Sequence, residues 1–130
     1  MKTILVDAVN TFVIKTETGF NIFQSMKTLL DEFPNQKIIL TGANDEQFKT
    51  FGLDKMPYEV FTLKHDPEKT DSAYYKTMLK HFNLMPEEVI YFEHNPNAAA
   101  SAESVGIKTY VWNPATLPLE DLRTFLRDSV

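Results

Sequence analysis

The sequence predicts a three-layer, Rossmann-like α/β protein built on a five-stranded parallel sheet. Short apolar runs rich in β-branched residues recur along the chain, and amphipathic segments with helical spacing separate them. Apolar runs without polar interruption are typical of parallel strands that helices cover on both faces. The predicted strands are residues 4–6, 37–40, 58–63, 89–92 and 107–112, and the third should lie nearer the sheet edge because it contains Glu59.

The segments between these strands carry helix signals. Residues 11–19 have no sustained period and are predicted to form a loop or a small hairpin. The first helix should begin after a cap at Asn21 and end before Pro34, because apolar residues then recur at helical spacing. Further helices are predicted over 44–51, from Asp71 or Ser72 to Phe82, over the alanine-rich stretch 97–105, and around residues 119–126.

Length and composition narrow the class of protein. A chain of 130 residues, 43% hydrophobic, is long enough to bury a core and is predicted to be a single domain over 1–130. A formal charge of -5 argues against a nucleic-acid footprint, and the absence of cysteine excludes disulfides and thiolate metal sites. The apolar run before Asp7 is too short for a signal peptide or a membrane span, so we expect a cytoplasmic protein without a membrane partner.

Asp7 directly follows the first predicted strand. Parallel sheets bind ligands at the carboxyl ends of their strands, and an acid there costs free energy to desolvate unless it serves a cation, a turn or chemistry. The alternative is that Asp7 only caps the following turn. Asn10, which tolerates positive φ, is expected to shape a tight loop after the strand.

Other polar residues fall at corresponding positions: Thr41 ends the second strand, Lys69 precedes a helix, and Glu93-His94 end the fourth strand. Together with the stretch D-A-V-N-T at 7–11, this order resembles the haloacid dehalogenase (HAD)-like superfamily. The resemblance covers nearly the whole chain. It is most specific between residues 69 and 106, where K-T-D-S-A-Y-Y, P-E-E-V-I-Y-F-E-H-N-P and A-E-S-V-G-I keep the superfamily's spacing.

The resemblance implies a hydrolase of phosphatase type that works through an aspartyl-enzyme intermediate on Asp7. It implies that Thr41 binds the phosphoryl oxygens and that Lys69 neutralises their charge, with Lys64 as a rival for that role. The implied cofactor is Mg²⁺, and the implied partner is a phosphorylated substrate. The expected metal-site residues are Asp7, Val9 through its carbonyl oxygen, Glu93 and His94, and the expected substrate-binding residues are Asn10, Thr11 and Gly42.

The chain departs from the superfamily's pattern at three positions. The second acid of the first motif, which protonates the leaving group, is Val9 here, and losing a general acid costs about two to four orders of magnitude in rate. The acid pair after the fourth strand is Glu93-His94, and the later polar residue is Ala98, so fewer oxygen ligands remain for Mg²⁺. His94 is either a partly buried loop histidine or a ligand or base.

These departures leave two functions open. One is an active hydrolase with a weakened or altered acid step, and the other is a catalytically inactive HAD-like domain that serves as a binding or regulatory module. The short intervals between strands have no room for a separate cap domain. For such a capless member, the resemblance implies a macromolecular substrate that closes the site or a homo-oligomer in which another subunit covers it. Since Glu93 should repel Asp7, Asp7→Asn is expected to leave the melting temperature unchanged or higher.

Overall fold

A computed structural model describes residues 1–130 as a five-stranded parallel sheet with helices on both faces. The sheet strands are β1 (Thr3–Asp7), β4 (Lys37–Thr41), β5 (Glu59–Thr62), β6 (Val89–Glu93) and β7 (Lys108–Val111). Their spatial order is β5-β4-β1-β6-β7, and every pair is parallel. The predicted fold class is confirmed, and the strand that carries Glu59 does lie at a sheet edge.

Four helices connect strands, namely α1 (Gln24–Leu30), α2 (Asp45–Thr50), α3 (Ser72–Phe82) and α4 (Pro96–Ser104), and α5 (Leu119–Ser129) follows the last strand. Two 3₁₀ turns, Leu53–Lys55 and Pro86–Glu88, precede β5 and β6. Side chains cap the starts of α2 and α3, because the Asn44 side chain accepts from the Gln47 N–H and the Asp71 side chain accepts from the Ala73 N–H. None of the helices is both long and apolar enough to cross a membrane.

Side-chain alternation along β1 divides the core into two apolar clusters, one on each face of the sheet. Ile4 and Val6 belong to the first cluster with apolar residues of α1 and α5, whereas Leu5 belongs to the second with residues of α3 and α4. All three side chains are fully buried. The central strand is therefore held from both sides, which fixes the position of its last residue, Asp7.

The segment after β1 forms an antiparallel hairpin of β2 (Val13–Thr16) and β3 (Gly19–Ile22), so the hairpin alternative for residues 11–19 is confirmed. The predicted start of the first helix is wrong. Asn21 lies in β3, where its amide donates to the hydroxyls of Thr16 and Thr18 at 2.6 and 2.9 Å. Helix α1 begins only after Phe23, because pairing with β2 continues through Ile22.

Candidate active site

The site lies where the three central strands end. β4 and β6 flank β1, with Asp7 in register with Leu40 on one side and Val6 in register with Phe92 on the other. Parallel pairing therefore brings Asp7, Thr41 and Glu93 to the same edge of the sheet, as the sequence predicted. All three are buried, and Asp7 is only 2% exposed.

Four donors contact the Asp7 carboxylate. Lys69 Nζ donates to Oδ1 at 2.8 Å, and the Thr11 hydroxyl donates to Oδ2 at 2.6 Å. The backbone N–H of His94 donates to the same Oδ2 at 3.1 Å, and the His94 ring contacts it through Nδ1. Asn10 has a φ of +69°, and this turn lets residues 8–13 fold back so that Thr11 reaches Asp7. These contacts fix the carboxylate's orientation.

Lys69 joins the two acids of the site. Its ammonium lies 2.8 Å from Asp7 Oδ1 and 2.7 Å from Glu93 Oε1, and it also donates to the Leu40 carbonyl oxygen at 3.2 Å. The rival Lys64 lies outside the site, where its exposed ammonium is 3.0 Å from Asp45 Oδ1. The geometry thus brings Lys69, and not Lys64, to the candidate nucleophile.

Glu93 has a second set of partners behind the site. The Tyr91 hydroxyl donates to its Oε1, and the backbone N–H of Asn95 donates to its Oε2 at 3.1 Å. Tyr91 is fully buried in the apolar cluster beneath the sheet edge. Since residues two apart on a strand share a face, Tyr91 could have been recognised from its spacing to Glu93, and the sequence analysis missed it.

The charges of the site shift its pKa values in opposite directions. Burial alone would raise the pKa of Asp7, but the Lys69 charge and the His94 hydrogen bond hold that pKa well below its usual range. Burial alone would lower the pKa of Lys69, but Asp7 and Glu93 raise it above its usual value. Hydrogen bonds to Asp7 and Glu93 raise the pKa of His94 to about 10. At neutral pH the site is thus a cluster of alternating charges.

A cavity of about 260 Å³ opens above Asp7, and most of the predicted residues line it. Its walls include Val9, Asn10, Thr41, Gly42, Lys69, Glu93 and His94, together with Gln47, His65 and Glu68, which no sequence signal indicated. Thr11 is different. It is fully buried behind Asp7 and does not line the cavity, so the structure brings its hydroxyl to Asp7 and not to a surface that a substrate could reach.

Thr41 and Gly42, at the end of β4, form part of the wall of this cavity. A Cβ at Gly42 would lie 3.2 Å from His65 Nδ1, so the missing side chain keeps room for the imidazole. His65 is held by Glu68 at 3.1 Å and by Gln47 at 2.5 Å. The Thr41 hydroxyl accepts the Ala43 N–H at 3.2 Å, which leaves its own proton available for an acceptor in the cavity.

The donor set at this edge fits a divalent cation. Ligand atoms of Asp7, Glu93 and His94 lie within 4.8 Å of one another, and two of the three are carboxylate oxygens. The Val9 carbonyl oxygen accepts no hydrogen bond from the protein, so it is available as a third oxygen ligand. Mg²⁺ prefers oxygen and is commonly held by one or two carboxylates plus water, so the imidazole of His94 is its poorest partner here.

Comparison with known proteins gives no match at the level of sequence. No protein-family profile matches the chain. No curated protein matches it at a significant level either.

Comparison of structures does find similar proteins. A HAD family enzyme from Bacteroides thetaiotaomicron, solved in complex with magnesium and inorganic phosphate, superposes with a TM-score of 0.71 at 13% identity, covering 94% of this chain and 98% of that one. An uncharacterized protein from Listeria monocytogenes gives a TM-score of 0.66 at 14% identity, covering 98% and 97%. A HAD-superfamily hydrolase of subfamily IA from Geobacter sulfurreducens gives 0.56 at 21%, covering 76% and 50%.

The fold and its strand-end cluster thus define an α/β protein whose candidate site is organised around one buried aspartate. The chain has the haloacid dehalogenase-like fold, and the resemblance predicted from its motifs is confirmed at the level of the fold.

Proposed function

We propose that this chain is a HAD-like phosphohydrolase that acts through an aspartyl-phosphate on Asp7. One observation carries the proposal: a buried carboxylate at the end of the central strand lies against a lysine ammonium and faces a cavity large enough for a phosphoryl group. The magnesium and phosphate bound to the Bacteroides enzyme, which has the same fold, support the choice of phosphate chemistry.

In the first step an oxygen of Asp7 attacks phosphorus, and the bond between phosphorus and the leaving-group oxygen breaks, with its electron pair remaining on that oxygen. Thr11 and the His94 backbone N–H orient the nucleophile through Oδ2, which leaves Oδ1 beside Lys69. Lys69 neutralises charge shared by the nucleophile and the phosphoryl group, and the free Thr41 proton binds a phosphoryl oxygen.

In the second step water attacks the aspartyl-phosphate and releases inorganic phosphate, which restores the Asp7 carboxylate. Asp7, Glu93 and the Val9 carbonyl oxygen are the groups that would hold Mg²⁺. When bound there, the cation would offset negative charge on the phosphoryl oxygens. Val9 lines the cavity where a proton donor is expected, and its side chain can transfer no proton. The leaving group must therefore depart without protonation by this residue.

The proposal is tested with acetyl phosphate, whose leaving group needs no protonation, in the presence of Mg²⁺. We expect phosphate release, and a quenched reaction should contain a phosphoryl group on Asp7, detected by peptide mass spectrometry. Asp7→Asn should abolish both signals, whereas Asp45→Asn, at an exposed ion pair, should change neither. Full turnover by a folded Asp7→Asn variant would show that Asp7 is not the nucleophile.

A second function has its own supporting observation. Both oxygens of Asp7 are already engaged, by Lys69 on one side and by Thr11 and His94 on the other, and the acid of the first motif is missing at Val9. Such a cluster is compatible with a catalytically inactive HAD-like domain that binds a phosphorylated partner. Binding of inorganic phosphate without turnover of acetyl phosphate would favour this alternative.

A further inference from the structure

A second cleft, of about 440 Å³, adjoins the candidate site and has a different chemical character. It lies between the hairpin and the loop after β7, and its apolar wall consists of Ile14, Phe23, Pro114 and Ala115. No lysine, arginine or carboxylate lines it, and His94 at its boundary is the one ionisable residue. A cleft of this size and composition suits an uncharged organic group.

The cleft adjoins the cavity above Asp7, which we call the phosphate cavity. Asn10 and His94 line both spaces, so they form the boundary between them. A phosphoryl group beside Asp7 can therefore carry a substituent that extends past these two residues into the cleft. Since the first cavity measures only about 260 Å³, the organic part of a phosphate ester is better accommodated in the second.

Two side-chain amides offer hydrogen bonds within this otherwise apolar space. Asn113 uses its Oδ1 to accept the Ala115 N–H at 2.9 Å, and its amino group donates to no protein atom. The Asn10 side chain makes no hydrogen bond within the protein, and Asn10 lines both cavities. Both can donate to a polar substituent on a ligand that is otherwise apolar.

The missing acid narrows the class of leaving group. With Val9 in place of a proton donor, the departing oxygen must be stable as an anion. A phenol has a pKa of about 10, as the tyrosine side chain does, whereas the hydroxyl of water has a pKa near 15.7 and alcohols resemble water. A phenolate therefore leaves with far less need for protonation, and its flat apolar ring is the kind of group that the cleft accommodates.

We propose that this cleft binds the aromatic ring of an aryl phosphate monoester while its phosphoryl group lies beside Asp7. This inference rests on the proposed phosphohydrolase function, and it adds the substrate class. The bond that breaks joins phosphorus to the phenolic oxygen, and the phenolate takes its proton from water after departure.

Ala115→Trp tests the cleft, because Ala115 is an exposed lining residue and a larger side chain would fill the space. Thr116→Trp is the matched control, since Thr116 is also exposed, is the next residue in the same turn, and does not line the cleft. We expect Ala115→Trp to lower kcat/KM for phenyl phosphate about tenfold, mainly through KM, which corresponds to loss of one buried ring. Thr116→Trp should have no such effect.

Acetyl phosphate separates failure of the cleft from failure of the hydrolase, because its small acyl group needs neither the cleft nor an acid. Suppose that Ala115→Trp changes kcat/KM for neither phenyl phosphate nor acetyl phosphate, while the wild type hydrolyses acetyl phosphate. The cleft proposal is then wrong and the proposed hydrolase function stands. A glycerol phosphate that is turned over as fast as phenyl phosphate would also overturn it. Faster turnover of phenyl phosphate or of a phosphotyrosine peptide than of glycerol phosphate supports the proposal. Whichever of the two aryl substrates is turned over faster shows whether the ring belongs to a small molecule or to a peptide.

A binding measurement keeps the proposal testable if nothing is hydrolysed. Phenylphosphonate should bind more tightly than methylphosphonate, and it should shift the side-chain amide resonances of Asn113 in an NMR titration. Ala115→Trp should remove that preference and Thr116→Trp should retain it. Equal affinities for the two phosphonates would overturn the assignment of the cleft whatever the activity.

Discussion

Asp7 illustrates how partners far along the chain change the energetics of one residue. The sequence places Glu93 nearby and so predicts that removing the Asp7 charge costs nothing. In the structure Lys69, 62 positions away, lies between the two acids at 2.8 and 2.7 Å, and the His94 ring contacts Asp7 from the other side. The net effect of the neighbours is to stabilise the Asp7 anion, so the expected sign reverses.

We therefore predict that Asp7→Asn destabilises the metal-free protein by about 2 kcal/mol, because it removes charge-assisted hydrogen bonds from a buried site. The lowered pKa of Asp7 makes this difference depend on pH. It should be fully present above the unfolded-state pKa of about 3.9 and disappear as the pH falls toward the folded-state pKa. Urea unfolding at several pH values measures it.

Asp45→Asn is the control for that measurement. Asp45 pairs with Lys64 at 3.0 Å, but its side chain is 84% exposed, so its removal should change the free energy of unfolding by less than about 0.5 kcal/mol. An Asp7→Asn protein as stable as the wild type at neutral pH would restore the expectation drawn from the sequence.

Val9 is the second residue whose chemistry can be changed directly. It is half-buried and lines the phosphate cavity. Val9→Asp should supply the missing proton donor and raise turnover of an alkyl phosphate by about two orders of magnitude or more in the presence of Mg²⁺. Val9→Asn is the control, because asparagine has nearly the shape of aspartate and is also polar but carries no acidic proton. It should give no such gain.

Stability must be measured before these rates are interpreted, because a carboxylate against an apolar wall has a desolvation cost. Circular dichroism and a melting curve serve that purpose. A well-folded Val9→Asp protein that gains no activity on any phosphate monoester would weigh against the phosphohydrolase proposal and favour the non-catalytic alternative.

At the scale of elements, the sequence predicted most strands and helices because their signals are local. The caps at Asn44 and Asp71 and the proline at the start of α4 need only neighbouring residues to act. The predicted start of α1 was wrong because Ile22 fits both the period of a helix and that of the hairpin. Asn21 has hydrogen-bond partners in the hairpin, and such pairing cannot be weighed from spacing alone.

Part of the candidate site could likewise be predicted from the sequence, and part could not. Asp7, Thr41 and Glu93 could be placed together because parallel strands align their carboxyl ends. The second cleft could not be predicted, since Ile14, Phe23 and Asn113 come from three separate segments with no shared motif. Nor could the contact of His94 with Asp7, which depends on how the loop after β6 turns back over β1.

The alanine-rich sequence of α4 predicts that this helix packs closely against the sheet, and substitutions in α4 test this packing. Ala102 is fully buried and belongs to the cluster that contains Leu5, Tyr91 and Ile107. Ala102→Leu adds volume where the helix approaches the sheet, and it should destabilise the protein by about 1–3 kcal/mol. Ala100→Leu, on the exposed side of the same helix, should have little effect, and urea midpoints measure both. Equal midpoints would mean that α4 has room to move away from the sheet.

At the scale of the whole molecule, the two apolar clusters share the central strands. Ile39 of β4 faces the first cluster and Leu40 faces the second, in the same way that Ile4 and Leu5 of β1 alternate. A strand that packs on both faces cannot lose one cluster and keep the other without exposing its own backbone and side chains. The sheet therefore couples the two layers of helices.

We predict that the two layers unfold in a single transition. Met26 lies in the first cluster and Met78 in the second, and both are fully buried, so their methyl NMR signals report the two layers separately. Both native signals should disappear at the same urea concentration. Ile39→Ala and Leu40→Ala each remove a buried side chain from one cluster and should cost about 2–5 kcal/mol. Each variant should nevertheless lower the midpoints of both methyl signals equally, and a variant that shifts only the methyl of its own cluster would show that the layers unfold independently.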